Sequence, residues 1–325
     1  MKVLGMGNAL VDVLALIEDD SLLEQLGLPK GSMQLIDEER KKSLDKVIDS
    51  KEKHIASGGS ASNTIVGLAK LNIETGFIGR VGQDYFGEYY KKDLQNCKVN
   101  SHLCVCNTEA SGVATTFISK DGQRTFGTFL GAAAALDVQD LKDEDFVGYD
   151  YFYIEGYLVQ NLDLIRSAIK LAKKHGLKVI LDMASYNVVE ASKDFLLEII
   201  PEYVDIIFAN EEEARALVDK NPEEALDILA EQVDIAIVKV GEKGSWIKRG
   251  QEKVFIPAMK VNCIDTTGAG DLYASGFIYG LIKNFPLNKC GEIGTLLAGN
   301  VIQYIGPKMD DTKWKELISL MIEKE

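Results

Sequence analysis

Short apolar runs alternate along the chain with longer amphipathic stretches, and that alternation sets the expected architecture. Runs over 3–7, 76–81, 151–154, 179–182, 206–209 and 236–240 are rich in Val, Ile, Leu and Phe and show no clean polar alternation. The pattern predicts strands covered on both faces, as in a parallel sheet. Between them, Leu164, Ile165, Ala168, Ile169, Leu171 and Ala172 recur at helical spacing until Gly176, which predicts a helix over 162–175. The same spacing predicts helices over 61–71, 85–95, 211–218, 223–231 and 291–304. Strand and helix in turn describe an α/β fold with helical crossovers.

One region breaks this rhythm. Residues 113–119 and 124–130 are β-rich and flank Lys120-Asp-Gly-Gln123, a hairpin signal. Val11, Val13, Ala15 and Ile17 also alternate, and 33–36 adds a short strand. These pieces do not fit as crossovers of a parallel sheet. They predict a small separate sheet standing off the main body, read either as a lid over a substrate or as a hairpin without a role.

Composition narrows the function classes. With 325 residues and 46% hydrophobic content the chain can bury a large core in one α/β unit. The net charge of −14, from 36 basic and 50 acidic side chains, argues against a nucleic-acid surface, which needs a basic patch. The first residues run straight into a strand, and no apolar run approaches membrane-spanning length. The expectation is a soluble, cytoplasmic protein with neither membrane nor nucleic acid as partner. Five cysteines show no metal-ligand spacing and read as reduced thiols, with Cys104 and Cys106 on one face of a strand.

The chemistry concentrates in Asp265-Thr-Thr-Gly-Ala-Gly-Asp271, followed at once by an apolar helix over 272–282. Gly268, Ala269 and Gly270 let backbone approach a ligand closely. A helix starting there aims its unpaired N–H groups, at the positive end of its dipole, at an anion such as phosphate. A carboxylate at Asp271 would repel that phosphate unless it serves as the base that takes a proton from an attacking hydroxyl. The string also reads as a plain helix start with an acidic first turn. A dinucleotide-binding turn, raised by Gly5 and Gly7, fails because Leu10 stands where the third glycine belongs.

Extended through Leu-Tyr-Ala-Ser-Gly-Phe-Ile278, the string resembles the C-terminal signature of the ribokinase, or PfkB, family of sugar and nucleoside kinases. Gly58-Gly-Ser-Ala-Ser-Asn63 is similar to that family's N-terminal Gly-Gly motif, with Ile65 where a small or hydroxyl residue is usual. The resemblance implies a ribokinase-like three-layer α/β/α fold, with a mostly parallel central sheet in one domain over 1–325. The small β lid would be formed by roughly 11–36 and 108–132. It implies ATP and Mg²⁺ as cofactors. Asp271 would be the base and Gly268, Ala269 and Gly270 the phosphate socket. Asn8, Asp12, Gly58, Gly59 and Asn63 would bind the acceptor's hydroxyls. Asn210-Glu-Glu-Glu213 resembles the family's Asn-x-x-Glu motif, whose Glu213 would organise Mg²⁺ through water. Lys239, Gly241, Gly244 and Asn300 would lie on the adenine and ribose side. Asp265 and Thr267 are where several relatives hold a monovalent cation such as K⁺.

Gly122-Gln-Arg-Thr-Phe-Gly-Thr-Phe-Leu-Gly-Ala-Ala132 is similar to the adenosine kinase branch, in which Arg124 would face the transferred phosphate. Gly5-Met-Gly-Asn-Ala9 and Asp205-Ile-Ile-Phe-Ala-Asn210 lean the same way, whereas Glu155 in Tyr153-Ile-Glu-Gly-Tyr157 is a departure. The first reading is therefore phosphorylation of a primary hydroxyl on adenosine or a related nucleoside. A kinase of a free sugar or sugar phosphate, or a catalytically silent relative, remains open, as does a monomer against a homodimer formed through the lid.

Overall fold

The computed structural model describes residues 1–121 and 123–322. Gly122, in the hairpin turn singled out above, lies outside the described residues. The strands are β1 Lys2–Met6, β2 Leu10–Leu16, β3 Met33–Leu35, β4 Lys53–Gly58, β5 Glu74–Gly82, β6 Asn100–Cys106 and β7 Gly112–Ile118. They continue as β8 Arg124–Phe129, β9 Tyr151–Glu155, β10 Lys178–Asp182, β11 Ile206–Asn210, β12 Ile235–Lys239, β13 Gly244–Arg249 and β14 Glu252–Pro257.

The main sheet is 9-stranded, in the order β14-β13-β12-β11-β10-β9-β1-β5-β6. Strands β12 through β6 run parallel, and β13 and β14 close one edge as an antiparallel hairpin. Its apolar runs divide by alternation. Val3, Phe77, Tyr153, Ile180, Phe208 and Ile237 face one buried cluster, while Leu4, Ile78, Phe152, Leu181, Ile207 and Val238 face another. Two cores, one on each face, are why these strands read as unbroken apolar stretches. The three-layer ribokinase-like architecture is therefore the observed one.

The second sheet is 5-stranded, in the order β3-β8-β7-β2-β4. It draws on the segments expected to form it and also on β4, whose Lys-His-Ile-Ala-Ser-Gly sequence carries no apolar run to announce it. The cluster that contains Phe77 and Tyr90 also takes in Val11, Val13 and Phe117, so this sheet and one face of the main sheet share a core. The hairpin β13–β14 and the edge strand β6 were not expected as sheet members over their full lengths.

Helix boundaries differ from expectation where local chemistry sets them. The helix Leu287–Val301 begins earlier than the predicted 291 because Pro286 occupies its N-cap. The helix Ala269–Ile282 begins inside the Gly-Ala-Gly string, with Gly268 at its N-cap in the left-handed region, φ 77°.

Candidate active site

Two helices bring the chemistry together at the carboxyl end of the main sheet. Ser60–Lys70 and Ala269–Ile282 pack closely because Gly67 leaves no gap: a Cβ there would lie 2.4 Å from Ser275 Oγ. Ser275 Oγ sits 2.9 Å from the carbonyls of both Thr64 and Asp271, and Thr64 Oγ1 lies 3.2 Å from Asp271 O. This seam sets Asp271 against the first turn of the Ser60 helix. Ser60 Oγ donates to Asp271 Oδ1 (2.7 Å) and Asn63 Nδ2 donates to Oδ2 (2.9 Å). Burial pushes the Asp271 carboxyl up to about 6, against the pull of these two donors; Asp182 adds to the rise and Lys239 opposes it.

The turn ahead of Asp271 is arranged as a socket. A Cβ at Gly268 would meet Pro307 at 2.7 Å, so the positive φ and the close approach both call for glycine. Ala269 N–H donates to Thr266 O (3.2 Å) and the helix ladder begins with Leu272 N–H on Gly268 O (2.8 Å), which puts the amides of Gly270 and Asp271 ahead of it. A Cβ at Gly270 would lie 3.2 Å from Lys239 Nζ. The Lys239 ammonium thus stands beside this turn. It donates to Asp182 Oδ2 (3.3 Å) and feels Glu213 and Asp271 as well, charges that raise its proton affinity even though burial works the other way.

Arg124, on β8, reaches across from the small sheet. Its Nη1 donates to Thr267 Oγ1 (2.8 Å), its Nη2 is ion-paired with Asp265, and its buried Nε has no acceptor among the described residues. Asp265 Oδ1 also accepts from Thr267 N–H (3.0 Å) and Oδ2 from Gly306 N–H (2.7 Å). The two residues read as monovalent-cation ligands are here partners of a guanidinium. Asp12, half-buried on β2, faces Gly58, where a Cβ would lie 2.3 Å from its Oδ2. Burial raises the Asp12 carboxyl to about 7, with Lys308 and Arg124 opposing. Gly59, φ 91°, passes so close to the chain that a Cβ would meet Asn8 O at 2.2 Å.

Other expected residues are more occupied than their motifs suggested. Asn8 gives both its backbone N–H (2.8 Å) and its Nδ2 (2.9 Å) to Glu155 Oε1. Asn210 caps the helix Glu211–Val218, and Glu213 answers it, accepting from Asn210 N–H (2.7 Å) and Nδ2 (2.6 Å). Burial lifts the Glu213 carboxyl to about 7, with Lys239 opposing. Gly241, φ 58°, and Gly244, φ 130°, turn the chain from β12 into β13, and a Cβ at Gly244 would strike Ile256 O at 2.0 Å. Asn300 is turned inward, donating to Leu296 O (2.8 Å).

Sequence reasoning missed Asp182, Ser60 and Lys308. Asp182 ends an apolar strand at the sheet's carboxyl edge, which is itself a signal for a binding crevice. Ser60 stood inside the Gly-Gly motif without a role of its own. Lys308 donates to Ser57 Oγ (2.7 Å) and is ion-paired with Asp93, behind Asp12, and nothing in its own neighbourhood of sequence marks it. Among the described residues no group of three His, Cys, Asp or Glu side chains is arranged to hold a metal ion, and no helix is long and apolar enough to cross a membrane.

Comparison with known proteins identifies the family. The chain matches the pfkB family carbohydrate kinase over residues 31–313. It is similar to an adenosine kinase structure from Sinorhizobium meliloti at 34% identity and TM-score 0.89, covering 100% of this chain and 99% of the other. It is 32% identical to a nucleoside kinase of Methanocaldococcus jannaschii over 80% of this chain and 84% of that protein. Adenosine kinase 2 of Arabidopsis thaliana is 28% identical over 93% of this chain and 94% of its own. The chain belongs to the pfkB family, near its adenosine kinase branch, and is a phosphotransferase of the carbohydrate and nucleoside kinase class.

Proposed function

We propose that this pfkB-family kinase transfers the γ-phosphoryl group of ATP to a primary hydroxyl of an uncharged, ribose-bearing acceptor, adenosine or a related nucleoside. The observation that carries the reading is the hold on Asp271: each carboxylate oxygen accepts one side-chain hydrogen bond from the Ser60 helix, beside the Gly268–Gly270 turn. A base raised to about 6 is ionised at neutral pH yet takes a proton readily. Asp271 accepts the hydroxyl proton while the hydroxyl oxygen bonds to phosphorus and the bridging oxygen leaves on ADP with the electrons of the broken bond.

Donors around the socket balance the charge of the moving group. Lys239, the amides of Gly270 and Asp271, and Arg124 through its free Nε are in position to do so. Each well-aimed donor is worth about 3 kcal/mol, by analogy with oxyanion holes. Asp182, Glu213 and Asp271 share the one ammonium of Lys239. That surplus of negative charge fits a site completed by Mg²⁺, which Glu213 and Asp182 would hold through water. Bound there, Mg²⁺ would neutralise the β- and γ-phosphate oxygens. Gly241 and Gly244 shape the side where the base and ribose of ATP would lie, with Asn210 and Asn300 beside them. The Arg124 guanidinium does at Asp265 and Thr267, in charge terms, what K⁺ would do.

Charge pairing argues for a neutral acceptor. The cations near Asp12 are already matched, Arg124 by Asp265 and Lys308 by Asp93. Asp12 itself suits two vicinal hydroxyls, with Asn63, Gly58 and Gly59 beside it. A phosphate on the acceptor would meet carboxylates. The small sheet is then a lid on one kinase unit, and it could serve a monomer or a pair equally.

The test is ADP release from ATP and Mg²⁺ with adenosine, inosine, guanosine, ribose, fructose and hexose phosphates. Turnover is expected with nucleosides, adenosine first. Turnover confined to a hexose phosphate, or none with any acceptor, would overturn the reading.

A further inference from the structure

Glu155 ends β9, is 1% exposed and takes no part in the chemistry above. A buried carboxylate without a role is costly, so its partners are informative. Oε1 accepts from Asn8 N–H (2.8 Å) and Asn8 Nδ2 (2.9 Å), and Oε2 accepts from Ala61 N–H (2.8 Å). Gly7 makes the room: a Cβ there would lie 2.5 Å from Glu155 Oε2 and 2.7 Å from Ala61 Cβ. One carboxylate thus ties the turn after β1 to the first turn of the Ser60–Lys70 helix.

That first turn is the one that holds Asp271. The helix has Gly59 at its N-cap with no side-chain cap of its own, so the capping anion comes from a strand far away in sequence. Ala61 lies between Ser60 and Asn63, the donors to the two Asp271 oxygens. A shift of the Ala61 amide moves both donors together, because the three residues share one rigid turn.

We propose that Glu155 is a positioning residue of the phosphoryl-transfer site, setting the Ser60 and Asn63 donors against Asp271 by anchoring Ala61 N–H and Asn8 from β9. The proposal rests on the reading of Asp271 as the base. Glu155 spends its three hydrogen bonds on Asn8 and Ala61. It acts through the helix start, and its removal should therefore lower kcat with little change in the KM for ATP.

Glu155→Gln keeps the shape and can keep both contacts to Asn8, but it turns an amide N–H₂ toward the Ala61 donor. Its kcat should fall on the order of 10- to 100-fold, as a misplaced catalytic contact does, with the KM for ATP within about 3-fold. Amide hydrogen exchange at Ala61 should speed up at least about 10-fold, a readout that needs no turnover. In a Ser60→Ala, Asn63→Ala background the same substitution should cost under about 3-fold, because both donors it positions are already gone. An equal loss in both backgrounds, or an unchanged kcat with faster exchange, would leave Glu155 a purely structural residue and overturn the proposal. If E155Q is recovered only unfolded, Glu155→Asp carries the same three measurements, since it keeps the charge while its shorter arm pulls back from Ala61. Failure of the base assignment is distinguishable: Asp271→Asn would then turn over normally whatever E155Q does.

Discussion

The two ends of the main sheet handle carboxylates in opposite ways. At the amino end, Asp205 Oδ2 accepts from Val179 N–H (2.6 Å) and from Lys173 Nζ (2.5 Å), so one acid meets one cation and one backbone donor at a half-open surface. At the carboxyl end, Asp182, Glu213 and Asp271 share Lys239, and Glu155 has only neutral donors. There burial raises Glu155 and Glu213 to about 7 and Asp271 to about 6. The amino end is settled for stability. The carboxyl end holds more negative charge than it can balance, as a site does when a substrate, a proton or a metal ion is to supply the remainder.

Asp271→Asn should break the contrast most sharply. The amide can still accept from one helix donor, so the fold should stand, but the proposed proton acceptor is gone. Loss of general-base catalysis is worth roughly 10²–10⁴ in rate. Steady-state kcat against a matched thermal melt checks it; a folded mutant with wild-type kcat would remove Asp271 from the chemistry and with it the reason for the charge surplus.

A smaller effect sharpens the same comparison through pH. Asp271 must be ionised to accept a proton, so kcat should fall as pH drops through about 6. Asn63 Nδ2 favours the ionised form, and Asn63→Ala should therefore move that acid limb to higher pH. A hydrogen bond to a charged group is worth about 1.5–3 kcal/mol, or roughly one pH unit or more. Glu155, Glu213 and Asp12 titrate in the same range, but Asn63 donates to Asp271, so a limb that stays in place in Asn63→Ala belongs to another group.

The sequence carried the sheet, the second small sheet and the signature turn because each depends on local pattern: apolar runs, an alternating stretch, a glycine string before a helix. It hid what depends on distant segments meeting. In sequence Lys239 marks only a strand end; the fold sets its ammonium at Gly270, 31 positions later in the chain. Glu155 could not be interpreted because its partners, Asn8 and Ala61, lie 147 and 94 residues away. β4 stayed invisible because it has no apolar run and ends on Gly58, with Gly59 next, which weighs against a strand on composition alone. Asn300 was expected on the adenine side of the site, and its amide turns back onto the preceding helical turn, an orientation that spacing does not encode.

The amino end offers the least effect and the cleanest control. Asp205→Asn removes the charge partner of Lys173 but keeps an oxygen for Val179 N–H, so the strand start should survive. The ion pair is only partly buried, with 33% and 21% of the two side chains exposed, and solvent screening limits what it is worth. The expected loss is about 1 kcal/mol, read as a Tm lower by about 1–2 °C for a chain of this size. Its kcat and acid limb should match the wild type, because no charge at the carboxyl end has changed and the sheet between them is rigid. If Asp205→Asn instead shifted the limb as Asn63→Ala does, the two ends would be electrostatically coupled through the core. The surplus at the carboxyl end would then be a property of the whole sheet and not of the site.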